Sequence, residues 1–272
     1  MHDELAAAFG QLLTERCTPA VVRAIERGES ADGLWEDLIG SGFLDALVPE
    51  SEDGGGLRLA DVLSLVQACG YHAMPLPFAE TMAARGVLAK EGRKWPSTPL
   101  ALDTTSSNLS FDERITFRAA LRVGQISGAA ARILELSLAH ANSRMQFGKT
   151  IGSFQAVQQQ LAVMSEHVCA VRMASQLCFA STTNVPDRVL TAMAMVVAGE
   201  AAAFVTSSAH AVHGAIGICA EIDLQLYTRR LLAWRTDAGS PSYWARQVGQ
   251  QWWAAKPTAS AVDFALACLD RD

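Results

Sequence analysis

The chain has 272 residues, half of them apolar and 18% charged, which suffices for one large or two small domains with a buried core. A net charge of −6 without a basic patch excludes a nucleic-acid partner. Six cysteines without a CxxC pair, no basic leader and no run of eighteen apolar residues predict a cytoplasmic protein without disulfides, zinc or a membrane partner.

Residues 1–95 are predicted to form an N-terminal helical domain. The stretch DGLWEDLIG spaces its apolar residues along one helical face and ends at glycine. Two further helices are expected within residues 59–89, with a break between Gly70 and Pro77. The three consecutive glycines in SEDGGGLRL match neither GxGxxG nor GxxxxGK, so they predict an ordinary loop rather than a phosphate-binding loop.

Residues 96–112 are rich in proline, serine, threonine and asparagine, which indicates a linker or at most a hairpin. Residues 113–272 return to long helices, which we expect over 114–141, over 153–179 and from Asp187 to about residue 211. The second of these carries an apolar seam with steps of three and four residues, formed by Phe154, Val157, Leu161, Met164, Val168 and Val171. Short connections between such helices predict an antiparallel bundle.

The stretch NSRMQFGKTIGSFQ contains a candidate anion site. The planar guanidinium of Arg144 suits a phosphate or carboxylate, and the next helix, with Ser153 as its expected N-cap, would add free backbone N–H groups. These groups and Gln146 together would suit a pyrophosphate, with Phe147 beside it and Gln155 on the first helical turn. In the alternative, which these residues alone favour, the guanidinium caps the carbonyls of the preceding helix and Phe147 is a core residue.

The stretch HAVHGAIGICAEIDLQLYTRR contains a second candidate. Gly214 and Gly217 mark a turn where the backbone can closely approach a ligand. His210 and His213 are three residues apart and can share one helical face. A metal would need more ligands than the two carboxylates downstream supply, so structural or hydrogen-bonding histidines are expected, and no metal.

The stretch RTDAGSPSYW places Asp237 in an expected loop before a helix that starts near Ser240. A carboxylate in such a loop usually caps a helix or stabilises a turn. It can also act as a base if a partly dry cleft raises its pKa. From these residues alone the structural role is favoured.

Together the three stretches resemble the acyl-CoA dehydrogenase family of flavoproteins, as does the segment LWEDLIGSGFLDALVPESEDGGGLRLADVLSLVQACGYHAMPLP. The resemblance implies a mostly α fold with an N-terminal helical domain over residues 1–95 and a C-terminal antiparallel four-helix bundle over residues 113–272. The family's middle β-barrel must be largely missing, because residues 96–112 leave room for only about two strands of ordinary length.

The resemblance also implies FAD as the cofactor. Arg144 matches the arginine that binds the FAD pyrophosphate of a neighbouring subunit, and Gly214 matches the first glycine of the turn that meets the adenosine half. Three further residues match neighbouring flavin contacts: Gln146, Phe147 and Gln155. The sequence departs from the family at Ala211, where a flavin-binding glutamine is usual, and at Ala215, where a second glycine is usual.

Asp237 falls where many family members have the catalytic glutamate, which removes the α-proton of an acyl-CoA thioester while the β-hydrogen leaves as hydride to the flavin. Aspartate offers the same chemistry on a shorter arm. The alternative base position of some members lies near Arg118, which cannot serve as a base. Asp237 is therefore the candidate catalytic residue of this chain.

Two functions follow from the resemblance. In the first, the chain is a subunit of a heteromeric acyl-CoA dehydrogenase and lends flavin-binding residues to a full-length partner that owns the barrel and the catalytic carboxylate. In the second, it is a non-catalytic, flavin-free homo-oligomer that acts as a scaffold or CoA-ester binder. A self-sufficient enzyme with Asp237 as its base is a further possibility. A ring-bearing or branched acyl-CoA, as in steroid side-chain catabolism, is the expected type of substrate.

Overall fold

The computed structural model of the chain describes residues 2–103, 105, 107–181, 184–254 and 260–269, and almost all regular structure in them is helical. The helices are α1 (His2–Arg16), α2 (Pro19–Glu26), α3 (Asp32–Gly40), α4 (Leu63–Tyr71), α5 (Phe78–Lys90), α6 (Phe111–Ser143), α7 (Gln155–Phe179), α8 (Arg188–His213), α9 (Leu224–Asp237), α10 (Pro241–Ala254) and α11 (Ala261–Leu269). Two short strands, β1 (Met145–Gln146) and β2 (Lys149–Thr150), pair as a hairpin. The mostly α fold is thereby confirmed, and the described part of residues 96–112 contains no strand.

The N-terminal helices and the bundle share one continuous hydrophobic core, in which α4 packs directly on α6. Glycines allow this close approach. A Cβ atom on Gly70 would lie 1.9 Å from the carbonyl oxygen of Gln125, and one on Gly128 would lie 1.8 Å from that of Gln67. Any side chain at these two glycines would therefore force α4 and α6 apart.

α6 is the longest helix of the bundle and packs against α7, α8 and α9. It begins at a capping box, in which Ser110 Oγ accepts from the N–H of Glu113 and the Glu113 carboxylate accepts from the N–H of Ser110. At about 1.5 Å per residue the helix is roughly 50 Å long. It therefore spans the whole bundle and places residues at both of its ends.

The predicted seam of α7 is confirmed, because Leu161, Met164, Val168 and Val171 are all buried. Asp187 caps α8 as expected, with its Oδ1 2.8 Å from the N–H nitrogens of two residues in the first turn. The expected N-cap of α7 is wrong. The Ser153 hydroxyl donates instead to the Thr150 carbonyl, because a 3₁₀ turn over residues 151–153 precedes α7.

Among the described residues, the segment Arg188–Ile218 is long and apolar enough to cross a membrane by length and composition. In the fold it contains α8, which packs against α6, α7, α9 and α10 with most of its apolar stretch buried. Small residues such as Ala198, Ala201 and Ala202 are completely buried along it. A buried central helix therefore accounts for the apolar composition of this segment.

Candidate functional site

A cavity of about 360 Å³ lies where α6 and α8 end. It is lined by His140, Arg144, Gln146, Ile151, Ala211, Val212, His213, Gly214, Ala215 and Ile216. The first four belong to the end of α6, the hairpin and the 3₁₀ turn after it, and the others belong to the end of α8 and the turn that follows. The fold thus joins two of the candidate stretches into one site.

Arg144 is held by its backbone and not by its side chain. Its N–H donates to the His140 carbonyl at 2.9 Å, and its carbonyl accepts from the N–H of Ile151 at 2.9 Å. The guanidinium is exposed, and no hydrogen bond or ion pair to another described residue is found for it. The alternative in which it caps the carbonyls of α6 is therefore not seen, and the guanidinium is available to a ligand.

The hairpin that follows Arg144 presents Gln146 to the cavity and Phe147 to the outside. Gln146 pairs with Lys149 across the hairpin, and Phe147 and Gly148 form its turn with φ of 51° and 78°. Positive φ at both turn residues is typical of a type I′ turn, which is strained for an aromatic residue. Phe147 is 92% exposed, so it is not the core residue of the alternative interpretation.

Gly214 ends α8 with φ 64° and ψ −148°, a backbone conformation that is essentially restricted to glycine. It lines the cavity and turns the chain into a 3₁₀ helix, Gly214–Ile218. Gly217 lies within that helix and is buried, and a Cβ atom there would lie 3.0 Å from the Cβ of His213. Gly217 therefore packs against the end of α8 and does not line the cavity.

Of the predicted cofactor residues, the cavity brings together Arg144, Gln146 and Gly214. Phe147 and Gln155, the exposed first residue of α7, are not among the lining residues. In the described part of the chain, no group of three or more histidine, cysteine, aspartate or glutamate side chains could hold a metal ion. The cavity thus offers an organic anion one arginine, one amide and a glycine turn.

Sequence reasoning missed His140, and it predicted His213 only as a structural or hydrogen-bonding histidine and not as a lining residue of the cavity. Their rings stack with centroids 4.4 Å apart, and His213 Nδ1 lies 2.9 Å from the Ala209 carbonyl oxygen. Burial and the charge of Arg144 lower the pKa of His140. Burial also lowers the pKa of His213. The hydrogen bond to Ala209 acts to raise this pKa, and the neighbouring His140 and His210 act to lower it further. Both imidazoles are therefore neutral at pH 7.

Asp237 lies elsewhere, as the last residue of α9 and not in a loop as expected. Its Oδ2 is 2.6 Å from Arg122 Nε and its Oδ1 is 3.2 Å from Arg118 Nη2. Burial acts to raise the pKa of Asp237, but the charges and hydrogen bonds of Arg122 and Arg118 outweigh it, so the pKa is lowered. This carboxylate is ionised and paired with two arginines.

The arginines extend this pair into a network. Arg122 also donates to Glu80 of α5 at 2.6 Å, and Arg118 also binds Asp103 of the middle segment. The network therefore ties α5, α9 and the segment before α6 to one stretch of α6. A larger cavity of about 510 Å³ borders it and is lined in part by Glu80, Arg122 and Trp234.

The two groups of charged residues are far apart. Arg122 lies in α6 and Arg144 is the C-cap of that helix, so about 30 Å of helix separates the two residues at 1.5 Å per residue. A small molecule bound at Arg144 cannot also be in contact with the carboxylate that Arg122 holds. The cavity and Asp237 are therefore two sites.

The comparisons with known proteins agree with the resemblance. The family described as "Acyl-CoA dehydrogenase, C-terminal domain" matches residues 111–251. Acyl-CoA dehydrogenase IpdE2 of Mycolicibacterium smegmatis is 28% identical over 290 residues, which cover 84% of this chain and 91% of the relative. The match thus extends over nearly the full length of a short relative.

Two solved structures share the fold. In the ChsE4-ChsE5 complex from Mycobacterium tuberculosis, one chain aligns with a TM-score of 0.80 at 19% identity, covering 95% of this chain and 98% of that one. PigA with FAD and proline aligns with a TM-score of 0.76 at 12% identity, covering 92% and 97%. At these identities the likeness shows the fold alone.

Proposed function

Because the chain belongs to the acyl-CoA dehydrogenase family, we propose that it is one subunit of an FAD-dependent acyl-CoA dehydrogenase whose α,β-dehydrogenation of an acyl-CoA thioester takes place on a full-length partner subunit. The observation that carries this proposal is the contrast between Arg144, whose guanidinium is free beside a cavity, and Asp237, whose carboxylate is paired with two arginines. The cavity serves the partner's FAD, and Asp237 is structural.

The residues of the cavity fit part of such a cofactor. The free guanidinium of Arg144 and the amide of Gln146 are donors for a diphosphate, and the turn at Gly214 brings backbone close to a ligand. Pockets for whole small molecules measure about 300–1,000 Å³, so a cavity of about 360 Å³ suits half a dinucleotide better than all of it. When bound, FAD would supply the hydride acceptor of the dehydrogenation.

Exposed apolar side chains surround the cavity and support a partner subunit at this face. Phe147 is 92% and Ile218 is 75% exposed, and Met145 and Ile216 are also half or more exposed. Apolar groups clustered beside a ligand cavity are typical of protein–protein contact sites. The partner would bury them while it holds the flavin ring and the acyl-CoA substrate.

The ion pairs of Asp237 support the assignment of the catalytic base to the partner. A general base must be free to accept a proton from its substrate, and bases near neutral pH usually have raised pKa values. Asp237 has a lowered pKa, and its carboxylate oxygens accept hydrogen bonds from Arg118 and Arg122. In this proposal Asp237 holds α9 on α6 and does not touch the substrate.

The relatives favour a heteromer over a homo-oligomer. One structural neighbour is a chain of the ChsE4-ChsE5 complex, which contains two different subunits and which this chain matches over nearly the full length. Another neighbour was solved with FAD. Both are compatible with a chain of this length that joins a second subunit to complete a flavin site.

The proposal is tested by co-expression. The chain is purified alone and together with a full-length acyl-CoA dehydrogenase from the same genome, and flavin absorbance and native mass are measured. We expect flavin only in the two-subunit complex. Flavin in the chain alone would overturn the shared site and make Asp237 the leading base. A flavin-free homo-oligomer that forms no complex would instead support the scaffold function.

A further inference from the structure

The stacked imidazoles of His140 and His213 have no role in the flavin contacts proposed so far. His140 stands one helical turn before Arg144 on α6, and His213 directly precedes Gly214 on α8. Both line the cavity, and their rings contact each other across the gap between the two helices. The pair therefore forms the wall that connects the arginine to the glycine turn.

The backbone at this cavity does not favour an anion. Both α6 and α8 end here, so their carbonyl ends and negative dipole ends face the site. The N-terminal end of α7 does not line it. A diphosphate with two negative charges would meet one arginine and two unfavourable helix ends, so the site needs further positive charge.

The hydrogen bond of His213 determines where that charge can arise. A carbonyl oxygen only accepts, so the Nδ1 that lies 2.9 Å from the Ala209 carbonyl must carry the proton. In the neutral ring, Nε2 then has a lone pair, which repels a phosphate oxygen. Protonation of Nε2 would turn it into a donor and make the ring a cation.

We propose that His140 and His213 form, together with Arg144, the anion-binding wall of this cavity, and that a bound diphosphate is accompanied by a proton taken up on the imidazole pair. The proposal rests on the proposed function, because it takes the diphosphate of FAD as the anion. It adds two binding residues to the site. It also makes cofactor affinity depend on pH.

The charged groups around the pair favour neutral imidazoles before an anion binds and proton uptake when it binds. The charged and titratable groups at the pair are Arg144 and the three histidines His140, His210 and His213. None of the described residues that line the cavity is acidic. Without a ligand, burial and the charge of Arg144 favour the neutral form of the pair, and an anion bound in the cavity beside the pair would raise both pKa values. Affinity must then rise as pH falls, tenfold for each unit by which binding raises one pKa.

The test uses ADP-ribose, whose diphosphate diester stays fully ionised from pH 6 to pH 8. Its binding to the two-subunit complex, stripped of flavin, and to the chain alone is measured by calorimetry in two buffers of different ionisation enthalpy. We expect uptake of part of a proton and about tenfold tighter binding at pH 6 than at pH 8. Adenosine, which lacks the diphosphate, should show neither effect.

Two variants localise the proton. His213→Phe keeps the stacked ring but removes its nitrogens, so only His140 can then take up the proton, and ADP-ribose binding should depend on pH less than in the unchanged protein. His167→Phe is the matched control, because His167 stacks on Phe204 with centroids 4.3 Å apart and does not line the cavity. This control should keep the pH dependence of the unchanged protein. The proton count in the unchanged protein decides the matter even if His213→Phe does not fold.

The outcomes separate this inference from the proposed function. Binding of ADP-ribose without proton uptake would overturn the role of the histidines and leave the flavin site intact. No binding of ADP-ribose at any pH would overturn both. Proton-linked binding of ADP-ribose in a protein that never retains flavin would support the anion wall and overturn the proposed function.

Discussion

The arginines near the two ends of α6 differ in whether they are paired and buried. Arg118 and Arg122 are each bound to two carboxylates and are mostly buried, whereas Arg144 is exposed and unpaired among the described residues. A charge whose partners are already in the chain stabilises the fold, and a charge without them is available to a ligand. The partners of an arginine within the chain therefore distinguish a structural arginine from one that can bind a ligand.

Removal of Arg144 should have the largest effect on the cofactor. Hydrogen bonds to a charged group are worth about 1.5–3 kcal/mol, so Arg144→Ala should weaken flavin retention in the two-subunit complex roughly tenfold to a hundredfold. Stability of the chain should stay nearly unchanged, because the side chain has no partner to lose. Flavin content after dialysis and the thermal midpoint of the flavin-free chain measure the two effects.

Arg246→Ala is the matched control, because Arg246 is an exposed arginine of α10 outside the cavity. It removes the same charge from the chain and should leave flavin retention unchanged. Equal flavin loss in both variants would mean that net charge, not Arg144, attracts the cofactor. Unchanged flavin in Arg144→Ala would remove this arginine from the site.

A smaller effect is expected at the glycine turn. Alanine at Gly214 would meet no neighbouring atom within 4 Å, so its cost is conformational and amounts to about 1–3 kcal/mol at this φ and ψ. Gly214→Ala should therefore lower the thermal midpoint and weaken flavin retention together. Gly249→Ala in α10, which also meets nothing within 4 Å and has ordinary helical φ, should do neither. Full retention of flavin in Gly214→Ala would show that the turn does not contact the cofactor.

Much of the fold could be predicted from local patterns. The seam of α7 and the cap at Asp187 are encoded within a few residues, and both are observed. The end of α9 could not be read locally, because TDAGS is a good loop sequence. The helix continues to Asp237, where the side chain meets Arg118 and Arg122, residues more than a hundred positions earlier. Such pairing is a property of the packed bundle.

The candidate site could be predicted only in part, because some of its residues are brought together only by the packing of the bundle. Arg144, Gln146 and Gly214 lie in stretches whose resemblance to known flavoproteins could be seen in the sequence, and the fold joins them in one cavity. His140 could not be found that way, and neither could the position of His213 in the cavity wall. Each is an ordinary histidine in the last turn of a helix, and only the packing of α6 against α8 stacks the two rings.

The smallest effect on turnover is expected at Asp237. Asp237→Asn keeps the size of the side chain, and Arg122 and Arg118 keep Glu80 and Asp103 as partners. Since the side chain is 34% exposed, we place the loss between that of exposed and buried pairs, at about 1–2 kcal/mol of unfolding free energy. Asp37→Asn removes a carboxylate that pairs with one arginine only, the exposed Arg16, and should cost less.

The pH dependence of that loss identifies its cause. A carboxylate whose folded pKa is lowered contributes stability that is fully present above its ordinary value of about 4 and is lost as pH falls through the folded value. The gap in stability between the unchanged chain and Asp237→Asn should therefore be constant from about pH 5 to pH 8 and close in acid. Dehydrogenase turnover of the complex should change less than about threefold. A loss of turnover of a hundredfold or more, as for an acid–base residue, would make Asp237 catalytic whatever the size of the stability gap. The active site of this chain would then lie at Arg118 and Arg122.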